Sequence, residues 1–210
     1  MSLAVPEPMY EYYSTKERYK TSDYRGYILH PYDDAYIEVM VREFDKIAAM
    51  DNLTKVEEVE LITSFVQNLH YLTDDTTGFD EYPKFPVESL VDEGGDCEDT
   101  SILLSHLLEA IDIETALLTL PGHMAIGVEL NATGAHWDVG NTTYYYLETT
   151  VPGWEIGSIP IEHVGKSVEL DVVDEIPFLS HTWEATRKNE VVTATITYTN
   201  DSPVNGTGYR

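Results

Sequence analysis

The sequence of 210 residues contains a single cysteine, Cys97, which follows two glycines and precedes a long apolar segment. The glycines favour a turn, and Asp96 with Asp99 three positions later is typical of a helix N-cap and an acidic third helical position. This pattern predicts Cys97 at the first helical position, where its free backbone N–H and the helix dipole would stabilise negative charge. Glu98 and Asp99 oppose a thiolate, so a reactive Cys97 needs a cationic partner. The alternative is that Cys97 is a small buried apolar residue.

A histidine and a carboxylate follow in segments whose alternating pattern predicts strands. After a Pro-Gly turn, polarity alternates over residues 123–130, and His123 shares a face with small residues. We therefore expect a buried helix to pack closely on the His123 face. Residues 144–150 predict another strand, on which Glu148 shares a face with Tyr144 and Tyr146. A cysteine at a helix start, a histidine at a strand start and a carboxylate on a neighbouring strand fit a nucleophile, a general base and an orienting acid.

The other periodic segments supply the elements that must position these three side chains. The segment after Cys97 is apolar around most of its circumference, which predicts a buried helix. Two amphipathic helices precede it: one over about 34–50, and one that follows a capping box of Thr54 and Glu57 and carries Gln67. Strands are predicted over 116–120, 123–130, 135–139, 144–150 and 168–173. The predicted fold class is α+β, with the cysteine helix packed on an antiparallel sheet.

Three regions are expected along the chain. Residues 1–32 show no sustained period and predict an irregular arm on the surface, whereas residues 33–175 contain the helices and strands of the core. Residues 176–210 form a separate β segment, in which apolar residues alternate with threonines from Val192 to Tyr198. This pattern fits the start of a truncated sandwich domain and an extra edge strand of the main sheet equally well.

Composition excludes several classes of partner. The chain has 12 Lys and Arg against 38 Asp and Glu, a formal net charge of -26. Nucleic acid and anionic lipid surfaces require clustered positive charge, so we expect neither as a partner. No apolar stretch reaches the ~20 residues of a membrane span. Five Asn-X-Ser/Thr triplets favour an extracellular or cell-surface protein; they begin at Asn52, Asn131, Asn141, Asn200 and Asn205.

No metal or cofactor is expected. The loop 71–86 carries Asp74, Asp75, Asp80 and Glu81, whose oxygens could hold a hard cation. Their spacing is not that of an EF-hand, so a solvated acidic turn is favoured. One cysteine and scattered histidines do not predict a zinc site. Five histidines have no identifiable partner and are assigned surface or core roles: His30, His70, His136, His163 and His181.

Three segments taken together resemble a known family. GDCEDTSILLSHLLEAI, PGHMAIGVEL and YYYLETTVPGW are similar to the signature blocks of the transglutaminase-like superfamily, which shares its catalytic core with papain-like cysteine proteases. An FVQ…Y helix and the segment YPKFPVESL resemble an archaeal branch. The resemblance covers about residues 55–160 and implies Cys97 as nucleophile, His123 as general base and Glu148 as third member of the triad. The usual third residue is Asp, so Glu148 departs from the pattern by one methylene.

The resemblance implies a thiol-dependent acyl-transfer enzyme that acts on a protein or peptide. Peptide or amide hydrolysis is favoured over protein cross-linking, because nothing in the sequence predicts a site that admits an amine while excluding water. Gln67 resembles a polar residue that assists the Cys97 N–H in an oxyanion hole, and an ordinary helix glutamine fits equally. Trp154, Tyr144 and Tyr146 are candidates for an aromatic rim. The alternative from another class is an inert binding module of a larger cell-surface protein.

Overall fold

The structure, a computed structural model, describes residues 3–18, 21–74, 82–174, 179–189 and 191–200. The chain divides into two compact units, Met1–Val173 and Asp174–Arg210. The described helices are α1 (Glu7–Ser14), α2 (Arg25–Ile28), α3 (Asp34–Asp51), α4 (Lys55–Gln67), α5 (Pro86–Val91) and α6 (Cys97–Glu109). The described strands are β1 (His70–Tyr71), β2 (Gly94–Gly95), β3 (Thr115–Leu120), β4 (His123–Glu129), β5 (His136–Val139), β6 (Thr142–Leu147), β7 (Glu169–Val172), β8 (Leu179–Lys188) and β9 (Val191–Asn200). The predicted α+β fold is confirmed.

Five strands of the first unit form an antiparallel sheet in the order β5-β6-β4-β3-β7. β3 and β4 are joined by a tight turn, with Leu120 opposite His123. β4 also pairs with β6, with Ile126 opposite Leu147. Since β4 and β6 are antiparallel, the start of β4 and the end of β6 lie at the same end of the sheet. This register brings His123 close to Glu148, the first residue after β6.

The buried helix α6 packs on one face of this sheet and forms the main core. Leu104 and Leu107 of α6 are fully buried in one cluster with Ile126 and Val128 of β4. We predicted that the helix would cover the opposite face of β4, and this was wrong, because Ala125 on that face belongs to a second, smaller apolar cluster. The larger side chains remove more apolar area from water against the helix than the small ones would, which favours the observed face.

The first 32 residues differ from the predicted irregular arm, because they contain α1 and α2. Tyr13 of α1 and Ile28 of α2 are fully buried. The Tyr13 ring lies 4.5 Å, centroid to centroid, from the ring of Phe85, which precedes α5. Two helices this short contain too few apolar residues to establish a period in the sequence. Each of the two helices therefore contributes a residue to the packed interior of the first unit.

The second unit contains an antiparallel hairpin of β8 and β9, in which Trp183 lies opposite Ile196. The predicted alternating segment lies within β9, whereas β8 was not predicted. Within the described ranges, β9 pairs with β8 in a two-stranded sheet and is not an edge strand of the main sheet. A sandwich domain that begins with this hairpin stays a prediction. Residues 201–210 lie outside the described part of the chain.

Candidate active site

Cys97 is the first residue of α6, and hydrogen bonds to the Asp99 carboxylate fix the turn that precedes it. The Asp99 carboxylate accepts hydrogen bonds from the backbone N–H of Asp96 at 3.3 Å and of Lys84 at 2.7 Å. A Cβ on Gly95 would lie 2.3 Å from the Cβ of Asp99, so this turn needs glycine for close approach. As the first helical residue, Cys97 has a backbone N–H without an intrahelical acceptor. The Cys97 side chain is half-buried at the start of the helix.

The Cys97 sulfur lies between a carboxylate and a backbone donor. The thiol donates a hydrogen bond to Glu98 Oε2 at 3.2 Å. The backbone N–H of Met124, the residue after His123, donates to the sulfur. Burial and the charge of Glu98 raise the pKa of the thiol, and the Met124 bond opposes them without overcoming them. In the resting arrangement Cys97 is therefore a neutral thiol.

The His123 ring is held by the carboxylate of Glu148. His123 Nε2 and Glu148 Oε2 are 3.0 Å apart, and Glu148 is 2% exposed. Glu148 also accepts hydrogen bonds from the Tyr146 hydroxyl at 2.7 Å and from the Thr150 hydroxyl at 2.8 Å. Burial works to raise the pKa of Glu148, but the bonds from His123 and Tyr146 outweigh it and lower the pKa to about 2. Glu148 is therefore an anion at neutral pH.

This hydrogen bond assigns the tautomer of the neutral His123 ring. An anionic carboxylate accepts but cannot donate, so Nε2 carries the proton and Nδ1 carries the lone pair. A lone pair on Nδ1 is what a general base for a neighbouring thiol requires. The extra methylene of glutamate does not prevent the orienting bond, since its length of 3.0 Å is that of an ordinary hydrogen bond.

Cys97 and His123 line one open cavity of about 410 Å³. Tyr24, Leu120 and Met124 are among the other lining residues. Within the described part of the chain, no hydrogen bond joins the Cys97 sulfur to the His123 ring, because the thiol donates to Glu98 instead. The structure thus places the two residues in one cavity without a hydrogen bond between their side chains.

Three acidic side chains also line this cavity. Carboxylate oxygens of Asp74, Asp96 and Glu98 all lie within 4.8 Å of one another. Burial, together with neighbouring carboxylates, raises the pKa of Asp96 to about 9, so Asp96 holds a proton at neutral pH. Oxygen groups of this kind suit hard cations such as Ca²⁺. The predicted acidic loop contributes Asp74 to the group, while its Asp75, Asp80 and Glu81 lie outside the described residues.

Gln67 joins α4 to the loop after β6. Its amide Nε2 donates to the backbone oxygens of Glu148 at 2.9 Å and Trp154 at 3.1 Å, and its Oε1 accepts from the Gly153 N–H at 3.1 Å. A primary amide has two N–H donors, and both are used here. This arrangement leaves no Gln67 donor for a substrate oxygen and gives the side chain a structural role beside Glu148.

Tyr146 has a role at the site that differs from the one the sequence suggested. We considered Tyr144 and Tyr146 for an aromatic rim, but they are 2% and 0% exposed, so neither forms a rim. The Tyr146 hydroxyl instead donates to Glu148, which lies two residues further along the chain, just after the end of β6. The predicted face-sharing of Tyr146 and Glu148 was the signal from which this hydrogen bond could have been inferred.

Comparison with known proteins gives little further information. No protein-family model matches the chain, and no curated protein matches it. The structure of calcium-bound LapG from Legionella pneumophila is similar to it at 19% sequence identity, over 72% of this chain and 86% of LapG, with a TM-score of 0.37. A likeness of this size carries no functional argument, and the archaeal branch stays a prediction.

Proposed function

We propose that this chain is a thiol-dependent acyl-transfer enzyme that works as a cysteine peptidase or amide hydrolase. The observation that carries the proposal is the 3.0 Å hydrogen bond between His123 Nε2 and Glu148. It leaves Nδ1 as a base in the cavity that Cys97 also lines. Cys97 is then the nucleophile, His123 the general base and Glu148 the orienting acid.

In the first step, the Cys97 thiol gives its proton to His123 Nδ1 as the bond from sulfur to substrate forms. The sulfur attacks the substrate carbonyl, and the backbone N–H of Cys97 stabilises the resulting oxyanion. The imidazolium then gives its proton to the leaving amine, the C–N bond breaks and a thioester remains on Cys97. In the second half, His123 takes a proton from water as the water oxygen attacks the thioester, the C–S bond breaks, and the imidazolium returns the proton to the sulfur, which releases the acid product and restores the thiol.

The neutral resting thiol decides how Cys97 is activated. Since burial and Glu98 raise its pKa, a stable thiolate is not formed in the free protein. Proton transfer must therefore accompany attack, and it requires the thiol to turn from Glu98 towards His123.

Hydrolysis is favoured over transfer to an amine because the cavity is open to solvent. Water at ~55 M takes the acyl group unless an amine is positioned in a dry second site. Incubation with a glutamine-containing peptide and excess labelled primary amine tests this choice. We expect free acid to exceed incorporated amine, with both products lost in Cys97→Ala. Stable, Cys97-dependent amine incorporation that exceeds acid release would make the protein a cross-linking transglutaminase.

A catalytically inert binding module is a second candidate, and one observation favours it. The Cys97 thiol is hydrogen-bonded to Glu98 rather than to His123. Against it, the described rings of Tyr144 and Tyr146 lie buried in the fold and do not plug the cavity. A folded protein in which Cys97 never acquires an acyl group from any activated ester would support the inert module.

The proposed substrate is a protein or peptide outside the cell or on its surface. The acidic composition supports the absence of a nucleic-acid partner, because the chain has too few Lys and Arg to neutralise phosphates. Among the described helices, none is both long enough and apolar enough to cross a bilayer. Further domains of a larger chain, beginning with the β8–β9 hairpin, are part of the same proposal.

A further inference from the structure

The ring of His163 lies flat against the ring of His123. The two ring centroids are 4.7 Å apart and the planes differ by 7°. One face of the proposed general base is therefore covered by a second imidazole, while Glu148 holds its edge through Nε2. His163 had no identifiable partner in the sequence, because it lies forty positions after His123 in a segment without a regular period.

A short, well-anchored turn carries His163. Its backbone N–H donates to Pro160 O at 2.9 Å, and its backbone oxygen accepts from Lys166 N–H at 3.1 Å. Upstream, Gly157 attaches the segment to the sheet by donating to Tyr146 O at 2.7 Å. A Cβ on Gly157 would lie 2.0 Å from Thr133 O, so this attachment requires glycine. Pro160 is buried. Backbone hydrogen bonds thus fix the main chain from which the His163 ring projects.

We propose that His163 is a positioning residue for His123, an inference that rests on the proposed function of the triad. Rotation of a histidine ring about χ2 is soft, so one hydrogen bond at Nε2 does not by itself fix the plane of the ring. A planar group against one face removes orientations that tilt the ring away from the cavity. The stack also keeps water from one face of the His123–Glu148 bond, which strengthens that bond. Nδ1 is thereby kept directed for proton transfer from Cys97.

Two variants and two measurements test this positioning role. His163→Ala removes the covering ring, whereas His163→Phe restores a planar ring that cannot titrate or donate a proton. The first measurement is the exchange rate of the His123 Nε2 proton with water, observed by NMR of ring-labelled histidine. The second is the rate at which an activated ester acylates Cys97, followed by intact mass. His136→Ala, which removes an exposed histidine on β5, is the matched control.

We expect His163→Ala to speed exchange of the His123 proton and to lower the Cys97 acylation rate by roughly 2- to 10-fold, the factor typical of an aromatic pair. His163→Phe should return both values to within about twofold of wild type, as should the His136→Ala control. Wild-type values in His163→Ala would overturn the inference. Equal impairment in His163→Phe and His163→Ala would also overturn it, because the stack would then not be the cause.

The two measurements separate this inference from the proposed function. If Cys97 of the wild-type protein takes up no acyl group, the proposed enzymatic function fails. The proton exchange rate still reports whether His163 protects the His123–Glu148 bond, because that bond exists in the resting protein. Faster exchange in His163→Ala with rescue by His163→Phe would then support positioning of His123 in a protein without the proposed activity.

Discussion

Replacement of Glu98 by glutamine should make Cys97 more reactive. The Glu98 carboxylate accepts the thiol proton at 3.2 Å and is 8% exposed, so its charge acts on the sulfur at close range. At this distance and an effective dielectric constant of ~20, a thiolate and a carboxylate repel each other by about 5 kcal/mol. Since 1.36 kcal/mol corresponds to one pKa unit, the upper limit is a fall of about 4 units in the pKa of the thiol.

The realised effect is smaller for two reasons. Glu98 can turn away when a thiolate forms, so we expect the pKa of Cys97 in Glu98→Gln to fall by roughly 1–2 units. Thiolates of lower pKa are also weaker nucleophiles. On a logarithmic scale, this removes about half of the increase in alkylation rate that the larger thiolate fraction would give. The iodoacetamide alkylation rate at pH 7 should therefore rise by roughly 3- to 10-fold.

Measurement of this rate by intact mass, with Glu38→Gln as control, tests the Glu98 prediction. Glu38 is an exposed residue of α3 that does not line the cavity of Cys97, and its replacement removes the same charge. The control should leave the alkylation rate unchanged. A rate in Glu98→Gln that equals or falls below that of wild type would refute the reasoning, because Glu98 would then not be what holds the thiol proton.

Three further predictions concern the groups around Glu148. Because its pKa falls from 4.5 unfolded to about 2 folded, Glu148 should add about 3 kcal/mol of stability that is complete above pH ~5 and lost as pH falls to ~2. Urea unfolding should show a difference in the free energy of unfolding between wild type and Glu148→Gln that becomes smaller as the pH falls. A difference that is the same at every pH would contradict this prediction. Tyr146→Phe should cost about 2 kcal/mol in the same assay by removing a donor to a charged group, whereas Tyr145→Phe should cost little. Gln67→Leu should cost roughly 2–3 kcal/mol, because two buried carbonyls and the Gly153 N–H lose their partner; a loss under about 0.5 kcal/mol would count against the structural role.

Local patterns in the sequence predicted the helices α3, α4 and α6 and the five strands of the main sheet, but they did not predict contacts between distant segments. The glycine turn with Asp96 and Asp99 placed the start of α6 correctly at Cys97, because capping depends on residues three positions apart. Thr54 and Glu57 likewise form the capping box that begins α4. The alternating pattern predicted the position of β4 but did not indicate which of its faces packs against α6. Small side chains on a strand face allow close packing of any neighbouring element.

The site shows the same division between local and distant contacts. The sequence predicted that Glu148 and Tyr146 share a strand face, because side chains two residues apart on a strand point to the same side. The contact of Glu98 with the sulfur depends on the side-chain orientation at a helix start, which no periodicity encodes. The His163 stack and the Gln67 bonds join segments 40 and 81 or more positions apart, so only the folded chain reveals them.

Acylation of Cys97 by an activated peptide ester, followed by intact mass, tests the central claim most directly. We expect a single acyl adduct on folded wild-type protein that forms faster than on denatured protein and then decays by hydrolysis. Cys97→Ala should form no adduct, and His123→Ala should form it at least roughly 100-fold more slowly, as expected for loss of a general base. Equal acylation rates for wild type and His123→Ala, or for folded and denatured protein, would contradict the claim that His123 activates Cys97.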